Sequence, residues 1–174
     1  MPSTSECIDY GLSREEANVL LIENVFNLKL KHSKYICQNF DWYDDVKKIV
    51  VEHKSFHIKY HNENVTLLKT NKICNRNSLF IFEFNYQNTF ELYYLQYTSK
   101  LFSTFQVQYY KYANKLYTEQ FFVIPNHLLV SFDKNSNIEL ILKQKNNKII
   151  DELIMEDAQK YEKTKSNTFF YKKN

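Results

Sequence analysis

The sequence predicts a single α+β domain, and three observations carry that expectation. A helical apolar stripe behind a capping pattern starts at Ser13, bulky apolar runs of strand length stand at 79–84 and 121–124, and a second helical pattern covers Lys148 to Lys163. No internal repeat, proline-rich linker or long charge block interrupts the 174 residues. One domain over residues 1–163 with a tail at 164–174 is the simplest organisation.

Ser13-Arg-Glu-Glu16 has the form of a capping box, with Ala17, Leu20, Leu21, Val25 and Leu28 at helical spacing behind it. The helix is therefore expected from Ser13 to about Leu30. Lys34 to Gln38 reads as a short strand and Asn39 to Trp42 as a polar-aromatic turn. A β-rich stretch from Asp45 to Ile58 follows. Counting by two, Val50, Glu52, Lys54, Phe56 and Ile58 share one face of that strand.

Residues 62–77 are rich in Asn and Lys and read as a connection, with a helical turn around Val65 to Lys72. Leu79-Phe-Ile-Phe-Glu-Phe84 has the character of a buried central strand, with Phe90 to Tyr97 as its hairpin partner. Leu101 to Gln120 fits a helical stripe through Phe102, Phe105, Tyr109, Tyr112 and Leu116. Phe121 to Ile124 is a strand stopped by Pro125, and Ile138 to Leu142 one more.

Composition removes several function classes. Gly11 is the only glycine, which excludes the phosphate-binding P-loop, the dinucleotide fingerprint and the glycine-flanked nucleophile elbow. A net charge of +3 permits a polyanionic partner without requiring one. The aromatic fraction of 17% accompanies the Asn, Lys and Ile excess of an AT-rich coding bias, so a core explains it as well as a stacking surface does. Cys7, Cys37 and Cys74 lack the spacing of a zinc site or a disulfide framework. Neither a signal peptide nor a membrane-length apolar run is legible, so an intracellular protein of cytoplasm or nucleus, with no membrane partner, is expected.

The chemistry-bearing run is Tyr43-Asp-Asp-Val-Lys-Lys-Ile-Val-Val-Glu-His-Lys54. Metal-assisted hydrolysis of a phosphodiester needs carboxylates to hold the ion and a group to orient water. Asp45, Glu52 and Lys54 supply that set, if Asp45 and Glu52 meet at one end of a hairpin. Asp44 competes with Asp45 as the first acid. The alternative reading of Glu52 and Lys54 is a same-face surface ion pair.

This run resembles the PD-(D/E)xK nuclease superfamily, whose pattern is an acidic residue, a short spacer and Glu-x-Lys on a core strand after an N-terminal helix. The match covers Ser13 to about Phe56, and Val46 after Asp45 supplies the apolar residue that the family's strand usually carries. The family's proline before the acid is absent. The resemblance implies a restriction-endonuclease-like core, a mixed central β-sheet flanked by helices with the N-terminal helix packed beside the motif hairpin, and Mg²⁺ or Mn²⁺ as cofactor. It makes Asp45 and Glu52 metal ligands, adds the His53 carbonyl and a helical acid, Glu23, and gives Lys54 the attacking water. Gln108-x-x-x-Tyr112 echoes a motif of one branch of that superfamily.

The function expected is a metal-dependent nuclease acting on DNA in preference to RNA, with Lys59, Lys72 and Arg76 as candidate nucleic-acid contacts. Symmetric cutting of two strands would favour a homodimer. Two other classes compete: a catalytically inactive nuclease-fold module that binds nucleic acid, and a protein-interaction factor with an aromatic partner surface. His53, His57 and His61 recur every fourth residue, but on a strand they stand about 13 Å apart and cannot share one ion. His127, after Pro125-Asn126, offers a base or a phosphate contact, but a lone His in a turn is more often only solvated, and no Ser or Cys has a legible catalytic partner.

Overall fold

The computed structural model describes residues 3–33, 40–57, 64–72, 77–111, 113 and 116–142. The chain opens with helix α1, Thr4–Phe26, nine residues ahead of the expected start. The reason is a capping box closer to the terminus: Ser3 accepts from the Glu6 N–H, and the Glu6 carboxylate reaches back to the Ser3 N–H at 2.6 Å. Ser13 lies inside the helix, where its hydroxyl donates to the Tyr10 carbonyl. The helix ends at Phe26 rather than Leu30, because Asn27 turns left-handed at φ 51°.

Two short strands, β1 (Lys31–His32) and β2 (Trp42–Asp44), lead into the long β3 (Ile49–His57). Residues 45–48 form the β2–β3 turn, so the β-rich stretch begins four residues later than expected. The Asp44 carboxylate organises that turn. It accepts the Val46 and Lys47 N–H groups on Oδ1 and the Lys29 N–H on Oδ2, tying the hairpin to the exit of α1.

β5 (Ser78–Tyr86) lies parallel to β3, with Glu52 opposite Phe80 and Lys54 opposite Phe82. Parallel neighbours need a crossover. The crossover carries β4 (Val65–Lys69) and a 3₁₀ turn, Thr70–Lys72, where a polar connection with a helical turn was expected. β6 (Thr89–Gln96) returns antiparallel to β5 through Gln87 and Asn88, both at positive φ, the tight-hairpin geometry.

The helix expected over Leu101 to Gln120 is not formed. A single turn, α2 (Ser99–Phe102), is followed by β7 (Gln106–Lys111) and β8 (Thr118–Pro125). The β-propensity of the Tyr, Val and Phe residues wins once β4 offers an edge to pair with, since β8 pairs β4 along Val65 to Lys69. β9 (Val130–Phe132) closes the first sheet. Ile138 to Leu142 forms no strand: the Ile138 N–H bonds the Val25 carbonyl, and Ile141 pairs with the Gln96 side chain. Cys37, Cys74, the strand expected at Lys34 to Gln38, the helix expected at Lys148 to Lys163 and the tail lie outside the described residues.

The result is an α+β arrangement with a mixed sheet ordered β1-β2-β3-β5-β6-β9 and a second sheet ordered β4-β8-β7. Helix α1 covers one face, where Ile22, Val25 and Phe26 pack on Trp42, Ile49, Val51, Leu79 and Ile81. The opposite face is covered by the second sheet rather than by a long helix. There Phe80, Phe82 and Phe84 meet Leu68, Phe102, Phe105 and Ile124. Each buried large side chain contributes roughly 1.5–3 kcal/mol, and much of the aromatic excess is spent here, Phe102 alone meeting Phe80, Tyr97, Phe105 and Phe122. Among the described residues, no helix is long and apolar enough to cross a membrane.

Candidate active site

The site grows from a mismatch in strand length. β2 pairs β3 only as far as Trp42 opposite Val51, while β3 runs on to His57, so among the described residues no strand covers that edge of β3 beyond Val51. Backbone groups alternate sides along a strand. The Val50 N–H donates towards β5, to the Asn77 carbonyl, and the Val51 carbonyl accepts the Asp41 N–H on the other side. His53 therefore presents its N–H and its carbonyl to the open edge. The Asp41 carboxylate takes that N–H at 2.7 Å.

Glu52 and Lys54 share a face, as strand parity requires, and their side chains meet at 2.6 Å. Lys72, from the turn after β4, reaches the same Glu52 Oε1 at 2.9 Å. Glu52 is only 2% exposed, and its Oε2 has no hydrogen-bond partner among the described residues. Oε1 lacks a well-directed hydrogen bond as well, but opposite charges at 2.6 and 2.9 Å satisfy it electrostatically. A buried carboxylate oxygen without a protein partner is costly and rare, and in native structures it is met by water, an ion or a catalytic role.

The electrostatics agree with a cluster of acids. Burial, then the neighbouring Asp41, push Glu52 up to about 7 against the pull of Lys54 and Lys72. Asp41 is raised by burial and by Glu15, and Glu15 is itself raised by burial. Burial alone would lower Lys54, but Glu52, Asp41 and Glu15 outweigh it and hold its pKa above the ordinary value. Lys54 is therefore an ammonium at neutral pH.

A cleft of about 440 Å³ opens beside this group, walled by Ile8, Leu12 and Glu15 of α1 and by Asp41, Lys54 and Lys72. His53 contacts Asn18 at 3.1 Å and the Trp42 ring, and burial lowers its pKa to about 4, so its imidazole is neutral. Glu83 is held by Arg14 through two bonds of 2.7 and 2.9 Å, by Asn18 at 2.5 Å and by the Ser55 hydroxyl at 3.1 Å. Burial would raise Glu83, but these partners hold its pKa below the ordinary value. This network fixes β3 against α1 and keeps its open edge in place.

The structure brings Glu52, Lys54 and the His53 backbone together and leaves other expected residues out. Asp45 lies in the β2–β3 turn, 41% exposed and paired with Lys31 at 2.5 Å, and Val46 beside it is 80% exposed. Asp44 is buried, but both its oxygens serve backbone N–H groups of the turn and the helix exit. Glu23 sits near the far end of α1 and accepts the Leu30 N–H at 2.7 Å, a helix-exit role. The acids that stand beside Glu52 and the cleft are Asp41 and Glu15. Lys72 is in the site itself, while Lys59, Arg76 and His61 lie outside the described residues.

Asp41 was legible in principle. Trp42 after it is the buried strand residue, which Val46 after Asp45 is not. Glu15 follows Ile8 and Leu12 on the helix stripe that borders the cleft.

Among the described residues, no three His, Cys, Asp or Glu side chains are gathered as a ready-made metal site. The available donors are oxygens: the bare Glu52 Oε2, the Asp41 carboxylate and the His53 carbonyl on the same edge. Such a set, completed by water, suits a hard divalent cation such as Mg²⁺ or Mn²⁺. No family model matches the chain, and no characterised protein or solved structure is significantly similar to it.

Proposed function

We propose that this chain is a divalent-metal-dependent nuclease of the PD-(D/E)xK kind, hydrolysing phosphodiester bonds in nucleic acid, DNA in preference to RNA. The observation that carries the reading is Glu52, buried with one oxygen that has no hydrogen-bond partner among the described residues, beside Asp41 and under Lys54. The order of parts also supports it: an N-terminal helix bearing an acid, an Asp before a hairpin, a ten-residue spacer and Glu-x-Lys on a core strand. The acid that fits the pattern is Asp41, and the helical acid is Glu15.

A bound Mg²⁺ or Mn²⁺ would polarise the scissile phosphate and lower the pKa of attacking water. Asp41 and Glu52 would hold it, with the His53 carbonyl. Lys54, an ammonium fixed two residues from Glu52, orients the water and faces the charge that grows on the phosphate oxygens. Glu15 lines the cleft one element away and adds negative charge that favours a cation there. Ile8 and Leu12, both exposed at the cleft, offer an apolar surface to a base or sugar.

The test is cleavage of labelled single- and double-stranded DNA and RNA. Cutting should require Mg²⁺ or Mn²⁺, stop with EDTA, and fall at least about a hundredfold in Glu52→Gln and Lys54→Met, the scale of losing a charge-stabilising group. Intact substrate under all metal conditions would contradict the nuclease reading.

A further inference from the structure

Lys72 is the residue whose placement the reaction scheme leaves unexplained. It ends the 3₁₀ turn of the crossover, just before the chain returns to start β5 beside β3. Its side chain is 15% exposed, and its Nζ stands 2.9 Å from the oxygen that Lys54 already contacts at 2.6 Å. Burying an ammonium is worthwhile only where an anion awaits it. One carboxylate carries one charge, so the second ammonium answers to the wider acidic cluster of Glu52, Asp41 and Glu15.

The two lysines differ in how they are attached. Lys54 rises from the same strand as Glu52 and is confined alongside it, whereas Lys72 arrives from a separate turn and lines the cleft. From this difference, and resting on the metal-dependent reading above, we infer that Lys72 is an exchangeable counter-cation. It neutralises Glu52 in the resting protein, and gives Glu52 up when a divalent cation is held, becoming a contact for a non-bridging oxygen of the substrate phosphate. Lys72 thereby couples metal loading to substrate engagement: the same ammonium cannot serve both anions at once.

The experiment titrates Mn²⁺ alone into the full chain, without nucleic acid, reading free Mn²⁺ by electron paramagnetic resonance. Lys72→Met removes a competitor for Glu52, so Mn²⁺ affinity rises by about tenfold, the scale of one close charge interaction. Lys72→Arg keeps the charge and stays near the wild type. At saturating Mn²⁺, kcat/KM for oligonucleotide cleavage falls in Lys72→Met and is largely kept in Lys72→Arg.

An unchanged or weakened Mn²⁺ affinity in Lys72→Met, or an equal gain in Lys72→Arg, overturns the inference. Failure of the underlying reading looks different. If Glu52→Gln binds Mn²⁺ as tightly as the wild type, the metal site itself is wrong, whatever Lys72 does.

Discussion

Asp41 accepts the backbone N–H of His53 at 2.7 Å, and this bond separates it from the two acids that follow in the chain. It fastens a carboxylate to the open edge of β3, next to Glu52, where β2 has already ended. Asp44 and Asp45 lie on the other side of Trp42 and Tyr43, one occupied by backbone N–H groups and the other by Lys31.

Asp44 should therefore behave as a structural acid. Asp44→Ala removes the acceptor for three backbone N–H groups and should cost about 2–3 kcal/mol, read by urea denaturation. Cleavage per folded molecule should be largely retained. Loss of activity with undiminished stability would place Asp44 in the chemistry instead.

The Arg14–Glu83 pair gives a second prediction. Glu83 is 1% exposed, and among the described residues Arg14→Ala leaves its charge buried with Asn18 and Ser55 as neutral hydrogen-bond partners. The expected loss is about 3–5 kcal/mol. Arg14→Met combined with Glu83→Leu, which removes both charges, should recover most of it. A single variant with wild-type stability would mean that the pair is solvated.

The pH dependence of stability follows from two opposed groups. Glu52 is raised from 4.5 to about 7, so the folded chain keeps a proton that the unfolded chain releases, and this contribution fades as pH rises from about 4.5 through 7. His53 is lowered from 6.5 to about 4, so its neutral burial becomes favourable as pH rises through that window. The two slopes partly cancel. Glu52→Gln removes the falling one, so the variant should gain on the wild type at pH 7, on the order of 1–3 kcal/mol, and lose that advantage at pH 4.5. Chemical denaturation at the two pH values checks it, and a pH-independent difference would contradict it.

Much of the frame was legible because it rests on short-range rules. Strand parity placed Glu52 and Lys54 on one face, the apolar run at 79–84 is the buried β5, and Phe121 to Ile124 lies in β8. The misplacements have physical causes. Ser13 imitates a cap, but Ser3 and Glu6 make one earlier. Residues 101–120 carry both periodicities, and only the partner edge of β4 decides for strand. Asp45 satisfies the spacing of the resemblance, yet the side chain that turns inward is set by where β2 begins, a property of the pairing register. Lys72 joins the site only because the crossover folds back, which no local pattern encodes.

The central claim is that Asp41, Glu52 and Lys54 form one metal-dependent active site, with Asp45 outside it. The most direct measurement compares Mg²⁺-dependent DNA cleavage by Asp41→Asn and Asp45→Asn at matched folded concentration. Asp41→Asn should lose at least about a hundredfold, while Asp45→Asn, which loses only an exposed ion pair, stays within about twofold of the wild type. Full activity in Asp41→Asn, or a collapse in Asp45→Asn alone, would contradict the account.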